Sequence, residues 1–299
     1  MKPVSTAAAF AVATLGIALF SVMDAVMKGL VLAIGTYATL FWRSLLSMTL
    51  STALYLPRRV GWPSRDTLRI HLGRGILTTV MGVLFFWGLA RVPLAQAIAL
   101  AFIAPLISLY LAAVLLGEQV RRRTIAASLA AFCGVILIIA GQAQADLGRE
   151  ALVGSLAILC SALCYALNII MMRRQSQAAG PLEIGFFQNL TVAVLLLAAL
   201  PLLGTQVPSA ATWPWIAAAA LLSTGSLMLL GWAYAHAEAS YLAATEYTSF
   251  LWAAVLGWLF FSEQVSLYTL AGAALIVAGC IFAARRPGET SPHLEAAAS

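Results

Sequence analysis

The chain has 299 residues, 62% of them hydrophobic and 9% charged, with a formal net charge of +6 and a mean hydropathy of +0.95. Soluble domains carry roughly 45–50% apolar and about 25% charged residues, so a soluble protein is excluded. A β-barrel is excluded as well, because its strands would read as short segments of alternating polarity and the apolar runs here are continuous.

Those runs lie between Thr6 and Ala284, each close to the ~20 residues that a helix needs to cross ~30 Å of hydrocarbon. They predict an all-α polytopic membrane protein with ten transmembrane helices, at about 6–27, 36–56, 67–90, 93–116, 123–142, 151–172, 182–203, 213–235, 239–261 and 266–284. The first run is preceded by one lysine and has no A-x-A cleavage site leading into a polar domain, so it reads as a retained helix rather than a signal peptide. Trp62, Trp213 and Trp215 stand at span entrances, where amphipathic rings anchor helices at headgroup level. Cys133, Cys160, Cys164 and Cys280 lie inside apolar runs with no histidine at ligand spacing, which makes them packing residues and predicts no metal site. The polar segment 287–299 reads as a tail.

With a cytoplasmic amino terminus, that side receives Lys2, Arg58, Arg59, Arg65, Arg69, Arg121, Arg122, Arg123, Arg173, Arg174, Arg285 and Arg286, and the other side receives Lys28, Arg91 and Arg149. The positive-inside rule therefore predicts both termini in the cytoplasm and the inner membrane as the site of residence. The basic balance is topological and implies no nucleic-acid partner.

LGEQV at 116–120 and FSEQV at 261–265 expose an internal repeat with an offset of 145 residues. At that offset Trp87 falls on Trp232, Ala90 on Ala235, Gly134 on Gly279 and Phe41 on Phe186, and a one-residue gap sets Asp24 against Asn168. The chain thus divides into repeats at 1–145 and 146–286, five spans each. An odd number of spans inverts the second repeat, the arrangement that underlies alternating access in carriers. Glu118 and Glu263 then lie at opposite surfaces, each expected to favour the positive end of the helix that follows it.

The aromatic-x-Arg of the second span (Phe41-Trp42-Arg43), the LLGEQV and FFSEQV ends of spans four and nine, and the stretch Gly82 to Gly141 resemble the EamA repeats of the drug/metabolite transporter superfamily. The resemblance covers about residues 6 to 284. It implies a carrier of small metabolites with a central cavity lined by spans one, three, four, six, eight and nine. The ten-helix plan is similar to bacterial amino acid exporters, including YddG-type exporters of aromatic amino acids; the superfamily also holds carriers of S-adenosylmethionine, nucleotide sugars, riboflavin and organic cations.

Charges in hydrocarbon cost at least ~2.5–3.5 kcal/mol each, so Asp24, Arg43, Arg74 and Glu246 need partners or a task. Depth makes Asp24 and Arg43 one candidate pair, and Arg74 and Glu246 a second pair nearer the cytoplasm. They serve as gates, as proton carriers, as acids for a cationic substrate group, or as static ion pairs that orient helices. Trp87 and Trp232 are repeat mates near opposite surfaces and read as anchors or as gates. Gln96, Phe102, Tyr165, Asn168, Tyr234, Tyr247 and Trp252 offer hydrogen-bonding edges and aromatic faces on the spans that the resemblance puts around the cavity. Pro105 removes a backbone hydrogen bond from span four and is expected to kink it; its mate is Phe250, so the kink is expected to be asymmetric. Small residues in spans five and ten, among them Ala126, Ala130, Gly134, Ala271 and Gly279, read as close helix contacts within a monomer.

The leading expectation is a secondary transporter of amino acids, aromatic ones included, or related small metabolites, working as an exporter with protons as a candidate coupling ion. An S-adenosylmethionine or organic-cation carrier and a channel or scaffold are the rivals. No Walker loop, H-E-x-x-H or G-x-S-x-G occurs, so no enzyme, catalytic residue or cofactor is predicted.

Overall fold

The computed structural model describes residues 6–58, 61–116, 122–144, 148–236, 242 and 245–284. The LGEQV residues 117–120, the repeat boundary at 145–146 and the tail at 287–299 lie outside them. The first half comprises α1 (Thr6–Ile34), α2 (Thr36–Tyr55), α3 (Arg65–Leu89), α4 (Leu94–Ala101), α5 (Ala104–Leu116) and α6 (Arg122–Gln144). The second comprises α7 (Gly148–Ala178), α8 (Pro181–Leu203), α9 (Trp213–His236), α10 (Thr248–Phe261) and α11 (Leu267–Ala284). Among the described residues, five helices (α1, α3, α7, α8 and α9) are long and apolar enough to cross a membrane; shorter apolar helices include Leu94–Ser108, Ser128–Gly141, Thr248–Phe261 and Leu267–Gly279. The chain is an all-helical, multi-pass membrane protein.

Helix α1 runs past the expected end at residue 27, through Lys28 to Ile34. The apolar stretch Leu30–Ile34 sustains it, and Gly35, at φ 82°, turns the chain into α2 in a single residue. α2 carries several hydroxyls, and Thr39, Ser51 and Thr52 fold theirs back onto the carbonyls of Gly35, Ser47 and Met48. Polar side chains are thereby satisfied within their own helix.

Packing repeats between the halves. α1 lies on α9 and, correspondingly, α7 lies on α3; α1 also meets α10, as α7 meets α5; α6 pairs with α11, and α2 with α8. Each contact maps onto a partner contact, or onto itself, when the halves are exchanged. Glycine sets the closest approaches. A Cβ on Gly134 would stand 2.6 Å from the Gly272 carbonyl oxygen, and one on Gly75 would stand 2.5 Å from Thr191 Cβ, so α6 meets α11, and α3 meets α8, nearly backbone to backbone.

Candidate functional site

The centre of the molecule is built on two interrupted helices. α4 stops at Ala101 and α5 starts at Ala104, because Pro105 has no N–H for the Ala101 carbonyl and disfavours helical geometry just before itself. In the second half the helix is interrupted at Tyr247, where no proline intervenes. There the Thr248 and Ser249 hydroxyls donate to the carbonyls of Thr245 and Glu246, both at 2.6 Å. Phe102 and Tyr247 are repeat mates at the 145-residue offset, and their rings meet edge to face at 5.5 Å. The expected asymmetric kink is therefore corrected: proline on one side and hydroxyls on the other interrupt both spans at equivalent places. Glu246, exposed beside this break, lies close enough to Tyr165 to act on it electrostatically.

Asp24 on α1 is 4% exposed, and Arg43 on α2 lies over the Phe86 ring of α3, 5.8 Å from its centroid. The two charges act on each other, yet no direct ion pair joins them. Asp24 Oδ1 and Arg43 Nε are both buried with no hydrogen-bond partner. An orphaned acceptor and an orphaned donor of opposite charge thus sit near each other, an arrangement costly enough that it calls for a task.

Arg74 does not pair with Glu246. Its Nε donates to Asn168 Oδ1 at 2.8 Å and its Nη1 to Gln175 Oε1 at 2.6 Å, because α3 packs on α7 rather than against the Glu246 segment. The chain continues from Gln175 Nε2 to His71 Nδ1, from His71 Nε2 to Glu183 Oε1 at 3.0 Å, and from the Tyr55 hydroxyl to Glu183 Oε2 at 3.4 Å. His71 is fully buried and stacks on Phe187 at 4.7 Å with 10° between the rings. The Gly75–Thr191 approach brings His71 and Glu183 within reach of each other. This chain runs from mid-helix to the end of the bundle where α8 begins.

A different network occupies the opposite end. Lys28 pairs with Glu263 and donates to the Val92 carbonyl at 2.6 Å, while Glu263 Oε2 accepts from the Leu94 N–H at 2.7 Å. Glu263 therefore caps α4, in the other half of the chain, and not the helix that follows it; that helix is capped by Ser266, whose Oγ accepts from Thr269 N at 3.1 Å. Gly257 makes the crossing possible, since a Cβ there would stand 2.6 Å from Glu263 Oε2.

The tryptophan mates mark helix ends. Arg91 stacks on Trp87 at 3.5 Å and donates to its carbonyl at 2.9 Å; at the equivalent place His236 stacks on Trp232 at 4.3 Å, with Nδ1 2.8 Å from its carbonyl. Basic side chains on terminal carbonyls are a C-capping device. Gln96 is buried on α4, 3.5 Å from Ser155 Oγ. Tyr165 and Trp252 are 43% and 38% exposed, and the side chain of Tyr234 lies outside the described set. Sequence reasoning missed His71, Gln175 and Glu183, and placed Lys28 in a loop. Their signal was a polar residue at one-turn spacing from Arg74 or at the edge of an apolar run. Among the described residues no cluster of His, Cys, Asp and Glu is placed to hold a metal.

Two similar helical halves with paired interrupted spans and buried charges are the plan of a membrane transporter rather than of an enzyme. The EamA-like transporter family matches residues 7–140 and again 152–285, and the chain belongs to that family. The pseudopaline exporter CntI of Pseudomonas aeruginosa is 30% identical over 89% of this chain and 92% of its own length. A riboflavin transporter of Rhizobium johnstonii is 32% identical, over 72% of this chain and 70% of its own. A probable terminal-alkyne amino-acid exporter of Streptantibioticus cattleyicolor is 30% identical over 75% of each. A crystal structure aligns over 95% of this chain and all of its own with a TM-score of 0.62 at 20% identity, a likeness of fold alone.

Proposed function

We propose that the protein is a secondary carrier of amino acids or amino-acid-like metabolites, exporting them across the bacterial inner membrane by alternating access. Ten spans in two inverted repeats, with both termini in the cytoplasm, would carry this cycle. In that orientation the Lys28 end faces outward and the Glu183 end faces the cytoplasm. The observation that carries the reading is the orphaned pair: a substrate ammonium group satisfies Asp24 Oδ1, and its carboxylate satisfies Arg43 Nε. A zwitterion places both charges on one small molecule, and charge-assisted hydrogen bonds of this kind contribute about 1.5–3 kcal/mol each. Phe102, Tyr247 and Tyr165 supply aromatic walls for the remainder of the solute. One of the named relatives, the probable terminal-alkyne amino-acid exporter, points to the same substrate class.

The test is thermal stabilisation of the purified protein by a panel of free amino acids, their amides and their N-acetyl derivatives. Stabilisation by the zwitterions alone supports the reading; equal stabilisation by the amides removes Arg43 from the site. The acids Asp24 and Glu246 favour a second reading, an organic-cation carrier, and the amides would then bind at least as well as the zwitterions.

A further inference from the structure

The chain from Arg74 to Glu183 fixes the orientation of one amide and the tautomer of one ring. Arginine has only donors, so the Gln175 atom facing Arg74 Nη1 must be the carbonyl oxygen, and the atom facing His71 is the amide nitrogen. His71 Nδ1 then accepts, and the ring proton sits on Nε2, donating to the Glu183 carboxylate. Among the described residues the network thus holds a neutral imidazole in one tautomer, at full burial, and joins it to Glu183, whose side chain is 21% exposed.

We propose that His71 is the proton-binding site of the carrier and that its protonation is relayed by Gln175 to Arg74. A hydronium ion gives up the proton, its O–H bond breaking as an N–H bond forms at Nδ1 when the Gln175 amide swings away from that nitrogen, while Glu183 stays at Nε2. Imidazolium has donors on both nitrogens, so Nδ1–H now confronts the Gln175 N–H. Rotating the Gln175 amide relieves this conflict by turning Oε1 toward Nδ1. The same rotation presents an amide donor to Arg74 and removes the Arg74–Gln175 hydrogen bond. Arg74 keeps Asn168 and gains freedom to meet an anionic group. The Glu183 carboxylate at Nε2 stabilises the imidazolium, and the Phe187 face lies parallel to the ring.

The groups facing His71 are Glu183 and Phe187 from α8, Gln175 from α7, Arg74 from its own helix and, through Glu183, Tyr55 from α2. Arg58, Arg65, Asp66, Arg69 and Arg174 at this end are exposed. The internal repeat provides no second copy: at the 145-residue offset His71 falls on Ile216, Arg74 on Ala219 and Glu183 on Ala38. A proton site confined to one face gives proton binding a direction across the membrane.

This inference rests on the carrier reading, and the experiment separates the two. Replacing His236 and His293 by Asn leaves His71 as the sole histidine, and histidine-nitrogen NMR of that protein in nanodiscs reports its tautomer and charge. The expected result is an Nε2–H tautomer at high pH and an imidazolium once the pH is lowered. In the same protein Gln175→Leu removes the donor to Nδ1 and is expected to mix the tautomers. An Nδ1–H tautomer, or a ring that stays neutral throughout, overturns the proposal. In proteoliposomes, counterflow of radiolabelled L-amino acids is expected to change several-fold with pH in the wild type and to lose that dependence in His71→Asn. An unchanged pH profile in the variant also overturns the proposal. Failure of both proteins to move any amino acid counts against the substrate class instead, and the NMR result then decides the proton site alone.

Discussion

At the Lys28 end, a charged lysine on α1 grips a glutamate from the α10–α11 connection, and that glutamate caps α4. At the Glu183 end, amide and imidazole groups pass hydrogen bonds from α3 through α7 to α8. Both networks join the two halves, yet one is a direct ion pair and the other a relay of polarity. A direct pair is held or broken as a unit, whereas a relay can be reset at one end by a proton. Repeat symmetry does not generate either network, since Lys28 falls on Met172 under the mapping that sets Asp24 against Asn168. The duplicated frame supplies the interrupted spans, and unshared residues supply the two networks.

The comparison is broken most severely at the Lys28 end. Lys28→Met leaves Glu263 facing a buried site without its cation and should cost roughly 3–5 kcal/mol. The fall in unfolding temperature in detergent measures it, and the double variant with Glu263→Gln is expected to recover much of the loss. Single-cysteine labelling from the Lys28 side is expected to rise in Lys28→Met, as it would for a closure that has opened.

At the other end, Gln175→Leu leaves Arg74 and His71 each without one partner and should cost about 1–3 kcal/mol, with accessibility at the Lys28 end unchanged. Gly257→Ala pushes a methyl group against Glu263 and should weaken the clasp by about 1–3 kcal/mol without removing a charge. Tyr55→Phe removes a 3.4 Å hydrogen bond to a partly exposed carboxylate and keeps the ring that stacks on Phe186, so its stability, read from the unfolding temperature, is expected to fall least of the four, by about 1 kcal/mol or less.

The all-helical plan and its two repeats were legible in the sequence because long apolar runs and the EQV offset are local or periodic signals. Helix boundaries failed where tertiary contacts decide them: Lys28 was expected in a loop just past the first span but is buried within α1 by Glu263, a partner 235 residues away. Depth arithmetic correctly brought Asp24 and Arg43 to one neighbourhood, although it could not show that both would stay without a hydrogen bond. It also matched Arg74 with Glu246 by level, but level says nothing of azimuth, and α7 rather than α10 faces Arg74. His71 and Glu183 gave no sign of each other, being 112 residues apart with no motif between them. The symmetric interruption was hidden because Pro105 announces one half of it, while Thr248 and Ser249 produce the other with ordinary residues.

The central claim, that a zwitterion bridges Asp24 and Arg43 during transport, is tested most directly by amino acid counterflow in proteoliposomes of wild type, Asp24→Asn and Arg43→Gln. Counterflow should be saturable in the wild type and fall by about ten- to a hundred-fold in either variant, the loss of one charged hydrogen bond. Wild-type flux of an amino acid that survives unchanged in both variants would contradict the account.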